Sequence, residues 1–167
     1  MPIDRLVELL YLMLPAYAAN MAPPFVKFWP GWNRPIARAR LGDHKTVVGF
    51  ALGVLVGVLA AWLQSLIDWN RALLPASGWL AIGLAQGFGA MAGDSTKSYF
   101  KRRLGVPPGA PWIPADQLDF VIGALVLMLP LLRPAWSDVA LILAMTFVGD
   151  IVVNHISFWL GIRSTRW

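Results

Sequence analysis

The sequence contains no cysteine, which excludes disulfides, thiolate nucleophiles and cysteine-ligated zinc or iron–sulfur centres and leaves redox compartment unmarked. Charge is scarce: 14% of the 167 residues are Asp, Glu, Lys or Arg, against about 25% in an ordinary soluble domain. Histidine occurs twice, and His155 stands too far from other ligand types to suggest a metal site. Gly87, Gly89 and Gly93 miss the G-x-x-x-x-G-K-[ST] spacing, which excludes a P-loop. What is present is apolar, 57% of the chain, with nine Trp, 13 Pro, 15 Gly and a mean hydropathy of +0.60. Gly and Pro are common in membrane helices and Trp marks bilayer interfaces. The composition therefore excludes a disordered chain and predicts an all-α integral membrane protein, residues 1–167 forming a single membrane domain. There is room for about five spans of ~20 residues and for no separate soluble domain.

The first apolar stretch, about Leu6 to Ala22, carries Glu8 and Pro15 and is the weakest. Its minimal basic start, with Asn20 and Pro23-Pro24 where a leader would have small residues, predicts a retained helix. Clearer segments follow at roughly Thr46–Ile67, Trp79–Gly93, Leu118–Leu132 and Val139–Leu160. Lys27, Arg34, Arg38, Arg40 and Lys45 fall in loop one (23–45), Lys97, Lys101, Arg102 and Arg103 in loop three (97–115), and Arg163 and Arg166 at the C-terminus. The other side has Arg5, Arg71 and Arg133 alone, so the positive-inside rule predicts an outside N-terminus and a cytoplasmic C-terminus. The +5 net charge then belongs to two cytoplasmic loops. That distribution suits anionic headgroups or a soluble phosphate compound, and no nucleic acid is expected.

The densest polar cluster runs from Gly93 through Asp94, Ser95, Lys97, Ser98, Lys101, Arg102 and Arg103, and continues at Asp116, Gln117 and Asp119. If the third helix continues past Gly93, Asp94, Lys97, Ser98 and Lys101 share one face. Asp116 and Asp119 sit one turn apart where the fourth helix begins, at the same predicted depth. Three carboxylates can then converge, and hard oxygen ligands of that kind suit Mg²⁺ with water and substrate phosphates completing its shell. The neighbouring cations complement phosphate, Arg as a planar fork and Lys as a point charge. Together these point to phosphoryl or nucleotidyl transfer, in which positioning and electrostatics do most of the catalysis. Taken singly, each residue also reads as a topology signal or surface ion pair; their concentration at two adjacent helix ends favours function, because carboxylates near the membrane interior are costly.

Lys45 and Thr46 precede the second helix, a position suited either to an anion site or to a simple cap. Asn20 could contact a base or sugar, or cap the first helix. Gly49, Gly53, Gly57, Ala61 and Ser65 place a small residue at every fourth position, which predicts close helix packing within the bundle or in a homodimer. Gly89 and Gly93 repeat the pattern beside Asp94, where they could leave room for a ligand. In the fifth helix Asp150 and Asn154 share a face, beside His155, and are read as buried interhelical hydrogen bonding ahead of catalysis.

Ser98-Tyr99-Phe100-Lys101-Arg102 followed by Asp116-Gln117-Leu118-Asp119 resembles the two spaced signature elements of the membrane CTP-dependent phosphatidate cytidylyltransferases, S-x-[apolar]-K-R and D-R-x-D. The short five-span chain, with Ala16-Tyr17-Ala18-Ala19-Asn20, Leu41-Gly42-Asp43-His44-Lys45-Thr46 and Lys101-Arg102-Arg103-Leu104-Gly105, is most similar to the archaeal branch of that family, the CDP-archaeol synthases. Gln117 stands where Arg is usual and Ile113-Pro114-Ala115 replaces a His-Gly-Gly turn, which argues against a diacyl substrate. The resemblance implies CMP transfer from CTP to a geranylgeranyl ether-lipid phosphate, with Mg²⁺, in the cell membrane and with the active site facing the cytoplasm. It implies that Asp94, Asp116 and Asp119 hold the metal and that Lys97, Lys101 and Arg102 act on phosphate charge. Asn20, Pro23, Lys45, Thr46, Ser95, Ser98, Arg103 and Gln117 would then bind CTP or the lipid phosphate. The competing readings are a small transporter or channel with a polar path at Asp150, Asn154 and His155, and a structural subunit assembled through the small-residue stripe.

Overall fold

The computed structural model describes residues 3–107 and 110–160, apart from the side chain of Ser157. Arg163 and Arg166 of the charge count, and Pro108 and Gly109 of loop three, lie outside the described residues. The helices are α1 (Ile3–Met21), α2 (Arg38–Leu41), α3 (Val47–Ile67), α4 (Trp79–Arg103), α5 (Ala115–Met128) and α6 (Trp136–Trp159), with 3₁₀ turns at Pro23–Phe28 and Ala76–Gly78. Among the described residues there is no strand, and one isolated bridge joins Pro35 to Thr46. Three segments, Ile3–Phe28, Val47–Ile67 and Trp136–Ile156, are long and apolar enough to cross a membrane by length and composition. α5 is shorter, at 14 residues, and Gln86, Asp94 and many glycines dilute the apolar content of α4.

Helix ends follow local chemistry. α1 stops at Met21 ahead of Pro23-Pro24, and α5 stops at Met128, just before the residue that precedes Pro130. Loop three is shorter than its expected 97–115, because α4 continues through Arg103 and the connection covers 104–114. Nothing breaks the helix before Gly105, whose φ of 72° supplies the left-handed residue that ends it. The N–H of Gly105 donates to the Arg102 carbonyl and that of Val106 to Lys101, the paired bonds of a Schellman motif. Loop one is also ordered: Ile36 N–H donates to Lys45 O at 2.8 Å and Val47 N–H to Arg34 O at 2.9 Å, tying it to the start of α3.

Leu9, Leu12, Met13, Ala16 and Ala19 form the buried face of α1 and pack with Ala90 and Met91 of α4, Phe120, Val121, Ala124 and Met128 of α5 and Ile142 of α6. α4 touches α1, α3 and α5. The α3 stripe is taken up inside the chain. A Cβ on Gly57 would lie 2.8 Å from Gly87 Cα, and one on Gly83 would lie 2.7 Å from Val58 Cα, so α3 and α4 meet backbone to backbone. Lipid would meet the outward faces, where large residues such as Leu55, Leu66 and Val148 are exposed.

Pro15 lies inside α1 and cannot donate to the Tyr11 carbonyl four residues back. Gln64 of α3 donates to that carbonyl through Nε2 at 2.6 Å. Gln86 of α4, fully buried, enters the next rung: its Nε2 donates to Leu12 O at 2.7 Å while its Oε1 accepts from Ala16 N–H at 3.2 Å. Two glutamines thus satisfy the backbone that the proline disturbs, as a water-poor interior requires. At the same pole as the start of α1, Arg5 forks onto Asp138 of α6 at 2.5 and 3.1 Å, and Glu8 pairs with Arg5 and Arg71. Replacing Gln86 with Leu leaves Leu12 O and Ala16 N–H without that partner, so the detergent-solubilised variant should lose about 1–3 kcal/mol of stability. Thermal unfolding followed by circular dichroism checks this, and an unchanged midpoint would mean that α1 closes its own rung.

Candidate active site

The chain reverses direction at each long helix, so the ends of α1, α4 and α6 and the starts of α3 and α5 gather at one pole. Because α4 stays helical past Asp94, Lys97 lies one turn on and pairs with Asp94 Oδ1 at 3.2 Å. The same ammonium lies 3.2 Å from Asp116 Oδ1 and 2.8 Å from Asp119 Oδ2. Lys101, one further turn along, contacts both Asp116 oxygens at 3.0 and 3.1 Å and donates to Ala110 O at 2.6 Å. Lys45 reaches in from loop one to pair with the remaining oxygen of Asp94. The Asp119 side chain is 5% exposed and that of Lys97 15%. The three predicted aspartates therefore do converge, around a lysine. Among the described residues no group of three or more His, Asp or Glu is assembled as a metal cage.

The convergence depends on glycine. A Cβ on Gly93 would overlap the Asp119 carbonyl oxygen, and one on Gly89 would lie 2.6 Å from Gly123 O. α4 and α5 are in backbone contact there, which brings the first turn of α5 against Lys97. Asp119 Oδ1 is fixed by the N–H of Phe120 at 2.6 Å, and Asp116 Oδ2 accepts the Trp112 N–H at 2.6 Å. Asp116 precedes the apolar stretch of α5. Burial works to raise its pKa, but the Trp112 N–H and the Lys101 and Lys97 ammonium groups outweigh burial and hold the carboxyl below its usual range.

The other expected site residues divide. Pro23, Lys45, Thr46 and Ser95 line a small cavity of about 30 Å³ beside Asp94. Thr46 also caps α3, its hydroxyl accepting from Gly49 N–H at 3.1 Å. Ser95 and Ser98 donate their hydroxyls to their own helix, to Met91 O at 2.7 Å and Asp94 O at 2.9 Å. Asn20 is half-buried in the last turn of α1. Arg103 is exposed and donates to Tyr99 Oη at 3.1 Å. Arg102 Nε and Gln117 Oε1 are buried without a hydrogen-bond partner among the described residues. In α6, Asn154 donates to Asp150 at 2.9 Å and His155 Nδ1 lies 2.8 Å from Ile151 O, two contacts that run along the helix. Sequence reading missed Gly123, the Ala110 carbonyl and the Trp112 N–H. A lone glycine in the apolar run of α5 was the available signal for the first; the two backbone groups leave none.

A groove of about 510 Å³ follows the α4–α5 seam, with Lys97 and Asp119 in its lining. A third cavity, about 230 Å³, lies at the opposite pole among Tyr11, Gln64, Asp68 and Trp79; it has no lysine or arginine in its lining, so it does not complement phosphate.

A family model described as CarS-like, CDP-archaeol synthase, matches residues 3–167. The CDP-archaeol synthase of Methanospirillum hungatei is 36% identical over 171 residues, spanning 93% of this chain and 100% of that protein. That of Aeropyrum pernix is 34% identical over 175 residues, spanning 99% of this chain and 94% of the relative. A solved structure of an intramembrane enzyme for archaeal membrane lipids biosynthesis superposes with a TM-score of 0.73 at 30% identity, covering 87% of this chain and 91% of the other.

The depressed pKa of Asp116 sets a pH expectation. A carboxyl whose folded pKa lies below its unfolded value of about 3.9 stabilises the fold above that value and loses this contribution as pH falls through the folded pKa. The difference in thermal midpoint between wild type and Asp116→Asn should stay level from neutral pH to about pH 5 and shrink as the pH falls below about 4. A difference that already shrinks between pH 7 and 5 would contradict the assignment.

Proposed function

The chain belongs to the CDP-archaeol synthase family, and on that premise we propose that it transfers CMP from CTP to 2,3-di-O-geranylgeranylglyceryl phosphate, releasing pyrophosphate and forming a CDP-linked ether lipid. The protein is an enzyme of membrane lipid synthesis with a cytidylyltransferase role. The observation that carries the detailed reading is the meeting of Asp94, Asp116 and Asp119 with Lys45, Lys97 and Lys101 at one pole. A lipid phosphate oxygen attacks the α-phosphorus of CTP in line; that P–O bond forms as the bond to the β-phosphate oxygen breaks, and no covalent enzyme intermediate is needed. Lys97 and Lys101, both largely buried, oppose the charge that builds on the bridging and non-bridging oxygens, where low local dielectric strengthens them. Lys45 and Thr46, beside Asp94 at the start of α3, bind the triphosphate. Arg102, with its unpartnered buried Nε, is placed to answer further phosphate charge.

Asp94, Asp116 and Asp119 are gathered around Lys97 with no three-carboxylate cage among the described residues, and they fit Mg²⁺ as one or two oxygen ligands whose shell water and substrate phosphates complete. Asp94, Asp116 and Asp119 would hold it, and it would neutralise triphosphate charge there. The pole rich in Lys and Arg faces the cytoplasm in this reading, with all five long helices spanning the cell membrane.

Purified protein given α-labelled CTP, Mg²⁺ and either the geranylgeranyl ether phosphate or diacyl phosphatidic acid should move label into the ether lipid. Asp94→Asn and Asp119→Asn should each lower that rate by about 10²–10³-fold while circular dichroism stays unchanged. Rates within a few-fold of wild type would remove those aspartates from the machinery, and no label in either lipid would remove the enzyme reading.

A further inference from the structure

The apolar groove beside the charged pole has a shape of its own. Phe88, Ala92 and Phe100 of α4 wall one side, Ile122 and Val126 of α5 the other, and Trp112 stands near its charged end. The seam of Gly89, Gly93 and Gly123, where the two backbones touch, lies in its floor. Phe88, Phe100, Ile122 and Val126 are each about half exposed, so the groove opens sideways on the surface that hydrocarbon meets. Its volume of about 510 Å³ is that of a ligand site, which typically measures ~300–1,000 Å³. From Phe88 to Lys97 the wall is about 14 Å long at 1.5 Å per residue, nearly half of a ~30 Å hydrocarbon core. One end is lined by Lys97 and Asp119, so the channel leads directly onto the ammonium held among the aspartates.

The geometry points to this groove as the seat of one hydrocarbon chain of the lipid phosphate, its phosphate end at Lys97 and its tail directed along α4 toward Phe88. Ala92, at mid-length, is then a specificity-determining residue for that chain. The inference rests on the cytidylyltransferase reading above and adds where the lipid lies. A chain leaving bulk lipid gains little transfer free energy, because lipid tails are as apolar as the groove. What the groove supplies is packing and orientation. A chain laid along the seam holds its phosphate beside Lys97, so the entropic cost of aligning it with the nucleotide is met on binding. The small side chain of Ala92 leaves the channel continuous between two phenylalanines.

The test compares kcat/KM of the full-length enzyme for the geranylgeranyl ether phosphate with that for an analogue bearing the same glycerol phosphate and single-isoprene chains. Ala92→Phe fills the channel at mid-length and should reduce the preference for the long chain by about tenfold or more. An unchanged preference would overturn the proposal. Should that variant fold poorly, the wild type is photolysed, without CTP, with a lipid phosphate carrying a diazirine at one chain end. Labelling at Phe88 or Val126 that excess long-chain phosphate suppresses supports the groove; labelling spread over the outer faces of α3 and α6, and not suppressed, overturns it. Wild type that moves no CMP into either substrate sinks the cytidylyltransferase reading itself. Turnover that ignores chain length sinks the groove alone.

Discussion

Backbone contact between α4 and α5 is the constraint on which the charged pole depends. Asp94 and Lys97 belong to one helix, Asp116 and Asp119 to the other, and the four meet because Gly93 and Gly123 let the helices touch without intervening side chains. A buried ammonium among three carboxylates is tolerable only when every partner is in place, since one uncompensated charge there costs several kcal/mol. The glycine seam and the ion cluster therefore stabilise one another. Their outer side is the groove.

The opposite pole is held by different means. Arg5 bridges α1 to Asp138 of α6, and Glu8 and Arg71 extend the bridge. These contacts fix where α1 and α6 start, whereas chemistry is left to the far ends of the helices. α4 joins the two requirements: its first half presents glycines and Gln86 to its neighbours, and its last turns present Asp94, Lys97 and Lys101. One helix thus serves as packing hub and as scaffold for reactive groups.

Much of this was legible in sequence, for identifiable reasons. The long helices announce themselves as apolar runs bounded by Pro and Gly, and the spacing of Asp94, Lys97 and Lys101 puts them on one face whatever surrounds them. The paired aspartates at the start of α5 are equally local. What was not legible is proximity across elements. Lys45 was recognisable as a cation at a helix start, but not as the partner of Asp94, 49 residues away. Ser95 and Ser98 have a phosphate-binding composition, yet their hydroxyls bond to the preceding turn, a choice that depends on rotamer and local dielectric. How far α4 runs through its polar stretch was not legible either, because nothing in that composition marks a stop until the left-handed residue at Gly105. Gln64 and Gln86 look like diluting polar residues in apolar helices until Pro15 supplies the reason for them.

That last arrangement bears on how the chain enters a bilayer during synthesis. The carbonyls of Tyr11 and Leu12 take their donors from residues 53 and 74 positions later. When α1 leaves the ribosome neither glutamine has been made. Until α3 and α4 arrive, α1 carries polar backbone groups that hydrocarbon cannot satisfy. Its stable integration therefore has to await its successors, held at the translocation channel or at the water interface. α1 thus becomes a finished transmembrane segment only after the two longer helices, α3 and α4, that follow it.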